Sequence, residues 1–197
     1  EPGGTFTGQK IREMVCERNA YTELDSTAEL FLLMADRAQH VAMKIKPALQ
    51  NNFVVICDRF IDSTHAYQGA GKGHSHDIIE KLNNLATNGL ISDRTYLLSI
   101  SPEIGMGRVR FRGEKLSSFE LMGEEFHQRV ADYYKKLETE AVYLSHVDSR
   151  RLTTIKVIDA ARPQPEVQME ILTDVLSLIR QYTNLYIWEK ADHEIHN

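Results

Sequence analysis

Asp58-Arg59 stands directly after the apolar, β-branched run Phe53-Val54-Val55-Ile56-Cys57. A carboxylate at the carboxyl end of a buried strand is where a Walker-B-type acid positions Mg²⁺, directly or through water. A neighbouring guanidinium is a rigid two-pronged donor for phosphate. A surface salt bridge is the plainer use of the same dipeptide. Further on, Gly69 to Gly73 read GAGKG, but a phosphate loop of the form G-x-x-x-x-G-K-[ST] needs a hydroxyl residue after its Lys. Here Lys72 is followed by Gly73 and His74, so the string is read as a flexible loop. Arg37, beside Asp36, interrupts a segment that is otherwise apolar all round. A buried guanidinium requires either a carboxylate or a ligand, because leaving it unpaired costs several kcal/mol. Arg108, Arg110 and Arg112 alternate along the chain, so on a helix Arg108 and Arg112 share a face. That stretch is either an anion-handling segment or the solvated basic end of a helix. His193 and His196 have the spacing of a metal-binding pair, but no third ligand is fixed beside them and a disordered tail is the expectation.

The elements that must position these groups alternate between helix and strand. Helices are predicted over 7–17, 27–45, 76–88, 102–111 and 120–140, and a last one starts near Pro163 and Pro165. Leu30 to Ala35 is apolar on every side and is expected to be buried, with Pro47 ending that helix soon after. In the 120–140 helix Phe126, Val130, Tyr133, Tyr134 and Leu137 fall on one face. Strands are predicted over 53–57, 95–100 and 154–158, the first as a buried parallel strand. Such a doubly wound α/β pattern places ligands at the carboxyl ends of its strands. A polar tail is expected over 189–197, after a single domain spanning 1–188.

The composition sets outer bounds. The 197 residues carry 23 Lys plus Arg against 28 Asp plus Glu, a net charge of -5 at pH 7. There is no global basic excess of the kind a nucleic-acid or anionic-membrane binder carries, so any anion site is built locally. With 42% hydrophobic and 26% charged residues the chain is a packed globule, and disordered or collagen-like classes are excluded. Cys16 and Cys57 form neither a CxxC pair nor a disulfide framework, which suits a reducing cytosol. No apolar run has the length of a membrane span. The opening Glu1-Pro2-Gly3-Gly4-Thr5 is a turn-forming string of the type that normally follows a strand, so further sequence upstream is expected.

Several of these segments together resemble the thymidylate kinase family. They are EPGGT with Arg12, AEL…ADRAQH with IKPAL (28–49), VICDRFIDSTHAYQGAGKG (55–73) and SPE with RxRxRGE (101–114). FHQRVADYY (126–134) and VIDAARP (157–163) complete the series, and the resemblance covers roughly residues 1–180 in order. It implies an α/β P-loop nucleoside monophosphate kinase fold, a doubly wound parallel sheet flanked by helices, with the first strand and P-loop absent from this chain. The implied reaction moves the γ-phosphoryl group of ATP to dTMP, giving dTDP on the way to dTTP, with Mg²⁺ as cofactor. Asp58, Arg59, Arg110 and Arg112 would be the catalytic set, with Asp58 on the metal. Glu1, Arg12 and Arg59 would hold the acceptor phosphate; Leu33, Arg37 and Gln68 would face the thymine; Ser63, Thr64 and Tyr67 would line the sugar side. Arg108, Arg112, Ala161 and Arg162 would meet ATP, with a lid over about 108–120. The family also implies a cytoplasmic homodimer that engages neither nucleic acid nor membrane.

Departures from the family pattern define further expectations. No Gly-rich turn with Lys-Ser/Thr occurs here, and it is expected upstream of Glu1; without it the chain as it stands is expected not to be a competent kinase. The thymine-stacking aromatic is replaced by Leu33, with Phe31 and Met34 as its nearest substitutes. A carboxylate of the next strand is Ser99, and the lid's Asp-Arg is Ser117-Ser118. Two alternatives stay open: a non-catalytic nucleotide-binding remnant, and a related deoxynucleoside or nucleotide kinase with another acceptor.

Overall fold

A computed structural model describes residues 1–16, 24–112, 117–147 and 155–195, with some side chains of 102–112 and those of 142–147 and 184–195 outside the description. The elements in chain order begin with α1 (Phe6–Cys16), α2 (Ser26–His40) and α3 (Lys46–Gln50), the last two joined by a π-helical turn, Val41–Ile45. Next come α4 (Ile61–Thr64), which runs into a second π-helical turn at His65–Gly71, and α5 (His76–Thr87). The chain continues with β1 (Thr95–Ser99), α6 (Pro102–Arg112), α7 (Glu124–Val147), β2 (Ile155–Asp159) and α8 (Gln164–Ile195). Two compact units emerge, one of residues 1–93 with 114–140 and one of residues 94–113 with 141–197.

In the first unit, Asp25 caps α2 by accepting from the backbone of Thr27 and Ala28, which holds its own carboxyl below the usual range. The helical run continues past Pro47 to Gln50, further than the proline suggested. The wide turn supplies the reason: Lys46 N–H reaches back to the Val41 carbonyl, and this local widening makes room for a proline ring and its missing donor. Within α2 only part of the apolar middle is buried. Leu30 and Met34 pack with Ala86 and with Leu33 and Leu82, whereas Phe31 is 57% exposed. A second cluster joins Ala66, Phe126 and Val130 with Tyr67, Phe119, Met122, Tyr133 and Tyr134, so the apolar face predicted for α7 is the one it buries. Gly71 is what lets this happen, since a Cβ there would stand inside the Phe126 ring. The GAGKG string is therefore not a flexible loop: Gly69 to Gly71 end a helix and are mostly buried.

The predicted strand over 53–57 is also corrected. The segment is extended, but no strand pairs with it among the described residues, and Phe53, Val54 and Ile56 face solvent. An apolar β-branched run becomes a buried strand only where neighbours cover both faces.

In the second unit β1 and β2 pair in parallel, from Thr95 opposite Ile155 to Ser99 opposite Asp159. The described residues thus contain one small parallel sheet amid helices. α8 carries the backbone to Ile195, through the segment expected as a polar tail from 189, because no Gly or Pro follows Pro165 to break it; the side chains of its end and His196 lie outside the described residues. Asp174 on α8 accepts from the Tyr96 hydroxyl at 2.7 Å and pairs with Arg94 at 3.0 Å and Lys156 at 3.3 Å. Burial pushes its carboxyl up, but these three partners outweigh it and hold the group below the usual range, while burial and Asp174 push Tyr96 up to about 12. A depressed carboxyl contributes stability above its unfolded-state pKa and loses it as pH falls through the folded-state value. Asp174→Asn is therefore expected to cost about 1 kcal/mol at neutral pH. Thermal unfolding at several pH values should show the gap to the parent closing in acid.

Candidate functional site

The opening residues, α2 and the segment after Cys57 are drawn together by a buried polar network. Arg37 is at its centre, 5% exposed. Its Nε donates to Glu1 Oε2 at 3.2 Å, Nη1 to Thr64 Oγ1 at 2.8 Å and to Asn83 Oδ1 at 2.5 Å, and Nη2 to the Phe60 carbonyl at 3.1 Å. The Phe60 ring lies 5.3 Å from the guanidinium. The question raised by a charge in an apolar helix is answered by four protein acceptors from three parts of the chain: the opening residue, the 60–64 segment and α5. Asp36, fully buried, accepts from the Gly3 amide at 3.2 Å, and the Glu1 nitrogen donates to the Asp58 carbonyl at 2.9 Å. Arg12 reaches back to the Pro2 carbonyl at 3.1 Å.

Arg59 adopts φ 66°, a left-handed backbone that a non-glycine residue enters only under strain of about 1–3 kcal/mol. That twist turns the extended segment into α4 and sets the Arg59 guanidinium 5.4 Å over the Tyr67 ring. Ser63 Oγ lies 3.2 Å from the Tyr134 hydroxyl, and burial pushes that phenol up. Asp58 is exposed beside Arg59. Burial also raises the Asp62 carboxyl, while burial and His76 lower His65, so this imidazole is neutral at pH 7 as it meets Glu80 at 3.2 Å. Gln68, 2% exposed, donates to Glu29 Oε1 at 3.1 Å, and Glu29 pairs through its other oxygen with Lys72 at 2.6 Å.

Of the residues singled out from the sequence, Glu1, Arg12, Arg37, Asp58, Arg59, Ser63, Thr64, Tyr67 and Gln68 thus lie in one connected region of the first unit. Leu33 sits beside it in the packed Leu30 cluster. Arg108 in α6 is exposed; the side chains of Arg110 and Arg112 lie outside the described residues, as do 113–116 of the expected lid. The remainder of that segment is tied to the end of α1, where Ser118 donates from N to the Cys16 carbonyl at 2.9 Å and from Oγ to the Val15 carbonyl at 2.6 Å. In the second unit the Ala161 amide donates to Asp159 Oδ1 at 2.9 Å, and Arg162 pairs with Glu170. Sequence reasoning overlooked Glu29 and Asn83 and left Lys72 in a loop without a partner role. The signal for Glu29 and Lys72 was a lone acid and a lone base on otherwise apolar or glycine-rich stretches.

Comparison with known proteins bears on this arrangement. The family model described as thymidylate kinase matches residues 1–171. A thymidylate kinase of Trichodesmium erythraeum (strain IMS101) is 44% identical over 158 residues, covering 80% of this chain and 69% of that protein. One from Solidesulfovibrio magneticus is 40% identical over 182 residues, covering 89% and 81%. One from Latilactobacillus sakei subsp. sakei is 36% identical over 192 residues, covering 96% and 81%. With a family match over most of its length and relatives at this identity, the chain belongs to the thymidylate kinase family.

Proposed function

We propose that the chain transfers the γ-phosphoryl group of ATP to dTMP, giving dTDP. The observation that carries this reading is the Asp58 to Gln68 segment, folded so that a strained Arg59 projects its guanidinium over Tyr67 beside Ser63 and Asp58. A guanidinium fixed in that way suits a phosphate monoester, and Tyr67 provides a flat wall for the sugar next to it. The acceptor needs no strong general base, because a phosphate monoester with a second pKa near 6 is already largely dianionic at pH 7. What remains for the protein is positioning and neutralisation of charge.

Mg²⁺ takes oxygen ligands and retains water, and the exposed Asp58 carboxylate beside Arg59 fits that requirement. Bound with the nucleotide, the ion would neutralise charge on the phosphate oxygens. In this reading Arg108, Arg110 and Arg112 add cations from the lid, and Ala161 and Arg162 border the adenine. Residues 1–188 then act as one catalytic domain. Exposed Phe31 and Met43 on the α2 run support a homodimer through that face. No helix among the described residues is long and apolar enough to cross a membrane, and Cys16 and Cys57, neither of them in a disulfide, accord with a cytoplasmic setting.

The test separates binding from turnover. Calorimetry should show dTMP bound in preference to other nucleoside monophosphates, and chromatography should show dTDP formed from ATP and dTMP. Turnover of another monophosphate with none of dTMP would overturn the proposal. Gln68→Ala is expected to weaken dTMP binding about 10-fold, the worth of one hydrogen bond in a buried setting. Unchanged dTMP affinity in that variant would remove Gln68 from base recognition.

A further inference from the structure

We propose that Glu1, His40 and Cys57 form a binding site for a divalent transition-metal ion of the zinc class. One donor atom from each, a carboxylate oxygen, an imidazole nitrogen and a sulfur, lie within 4.8 Å of one another. They come from three separate parts of the first unit: the opening loop, the end of α2 and the extended segment before Asp58. A carboxylate, an imidazole and a thiolate suit a borderline-soft ion bound tetrahedrally, with a fourth position left for water. Mg²⁺, which keeps to oxygen ligands, does not match this set, so the site is chemically distinct from the one assigned to Asp58.

Two of the three donors are buried and unpartnered. Glu1 Oε1 and His40 Nδ1 have no hydrogen-bond partner, although the Glu1 side chain is only 2% exposed. They face each other at 3.5 Å, beyond a good hydrogen bond. Orphaned polar atoms at such depth cost about 1–3 kcal/mol each and call for an explanation. A cation between them satisfies both.

The surroundings hold the donors in place. Glu1 Oε2 is occupied by Arg37 Nε, leaving Oε1 turned to the site. The other edge of the imidazole, at Nε2, is covered by Gly4, where a Cβ would collide with the ring. His40 is thereby left with Nδ1 as its ligating atom, and Arg37 acts as the outer partner that orients the carboxylate. Cys57 Sγ now donates to the Arg59 carbonyl at 3.1 Å. Binding breaks the S–H bond, passes one proton to solvent and forms the sulfur–metal bond, with no change of oxidation state.

Co²⁺ is the probe, added to the reduced, chelator-treated chain. The expected result is a one-to-one titration with a near-ultraviolet thiolate-to-cobalt band, retained in Cys16→Ser, absent in Cys57→Ser and needing at least 10-fold more Co²⁺ in His40→Gln. No thiolate band in the parent, or the same band in Cys57→Ser, overturns the site in favour of a proton-bridged Glu1–His40 pair or of metal held elsewhere. Circular dichroism reports whether each variant is folded. A measurement on the parent alone covers the case in which one is not: Zn²⁺ should slow alkylation of Cys57 and leave Cys16 unaffected, as read by mass spectrometry of the digest. Equal alkylation of Cys57 with and without Zn²⁺ also overturns the proposal.

Discussion

Replacing Arg37 with Met is expected to destabilise the fold by about 3–5 kcal/mol, the cost of removing one member of a buried, hydrogen-bonded ion pair. The magnitude follows from what is left behind. Glu1 Oε2, Thr64 Oγ1, Asn83 Oδ1 and the Phe60 carbonyl would each lose a donor, the Thr64 and Asn83 contacts in a buried setting and the other two in a partly buried one. Domain stabilities are about 5–15 kcal/mol, so the loss is a large fraction of the total. For a chain of this length it corresponds to a melting temperature lower by roughly 6–20 °C. Arg37→Lys should recover only part of it, because a single ammonium group cannot serve four acceptors arranged around a planar fork. Urea unfolding of parent, Met and Lys variants measures this; a difference below about 1 kcal/mol between parent and Met would show that the network around Arg37 does not carry the stability of the fold.

Arg59→Ala should act on the opposite property. The guanidinium is exposed and stacked, not part of the buried network, so stability should remain within about 1 kcal/mol of the parent. Binding of dTMP, however, should weaken by about 2–3 kcal/mol, roughly 30- to 150-fold, for the charge-assisted hydrogen bonds lost to the phosphate. Thymidine, which has no phosphate, supplies the control: its affinity should be the same in parent and variant. Arg59→Gly sharpens the comparison, since glycine accepts φ 66° without strain and offsets the lost ring contact while binding falls equally. If dTMP and thymidine weaken together, Arg59 supports the pocket and does not hold the phosphate.

What the residues disclosed before any coordinates depended on how local the physics was. Helices α1, α2, α5, α6, α7 and α8 follow from periodicity and capping, which act over a few residues, and β1 and β2 from short apolar runs, whereas α3 and α4 lie where the sequence predicted no helix. The residues gathered around Arg37 and Arg59 were singled out by the order of their motifs along the chain. Two features depended on distant partners. Arg37 could be read as paired with a carboxylate or with a ligand, and only Thr64 and Asn83, 27 and 46 residues away, show how the protein itself occupies the fork. The GAGKG string looks flexible by composition, yet Gly71 lacks a side chain so that Phe126 can lie against it, and Gly69 packs against Ile79. Propensity has no term for a ring arriving from another helix.

The extended segment from Phe53 to Cys57 has a colloidal consequence. Its apolar side chains Phe53, Val54 and Ile56 are exposed, and no strand pairs with it among the described residues. A short, β-prone, uncharged run of this kind is a template on which another chain can add a strand. The same five residues that lead the backbone to Asp58 and Arg59 therefore also present an edge at which a second strand could add, so light scattering against concentration should show association that added salt does not suppress.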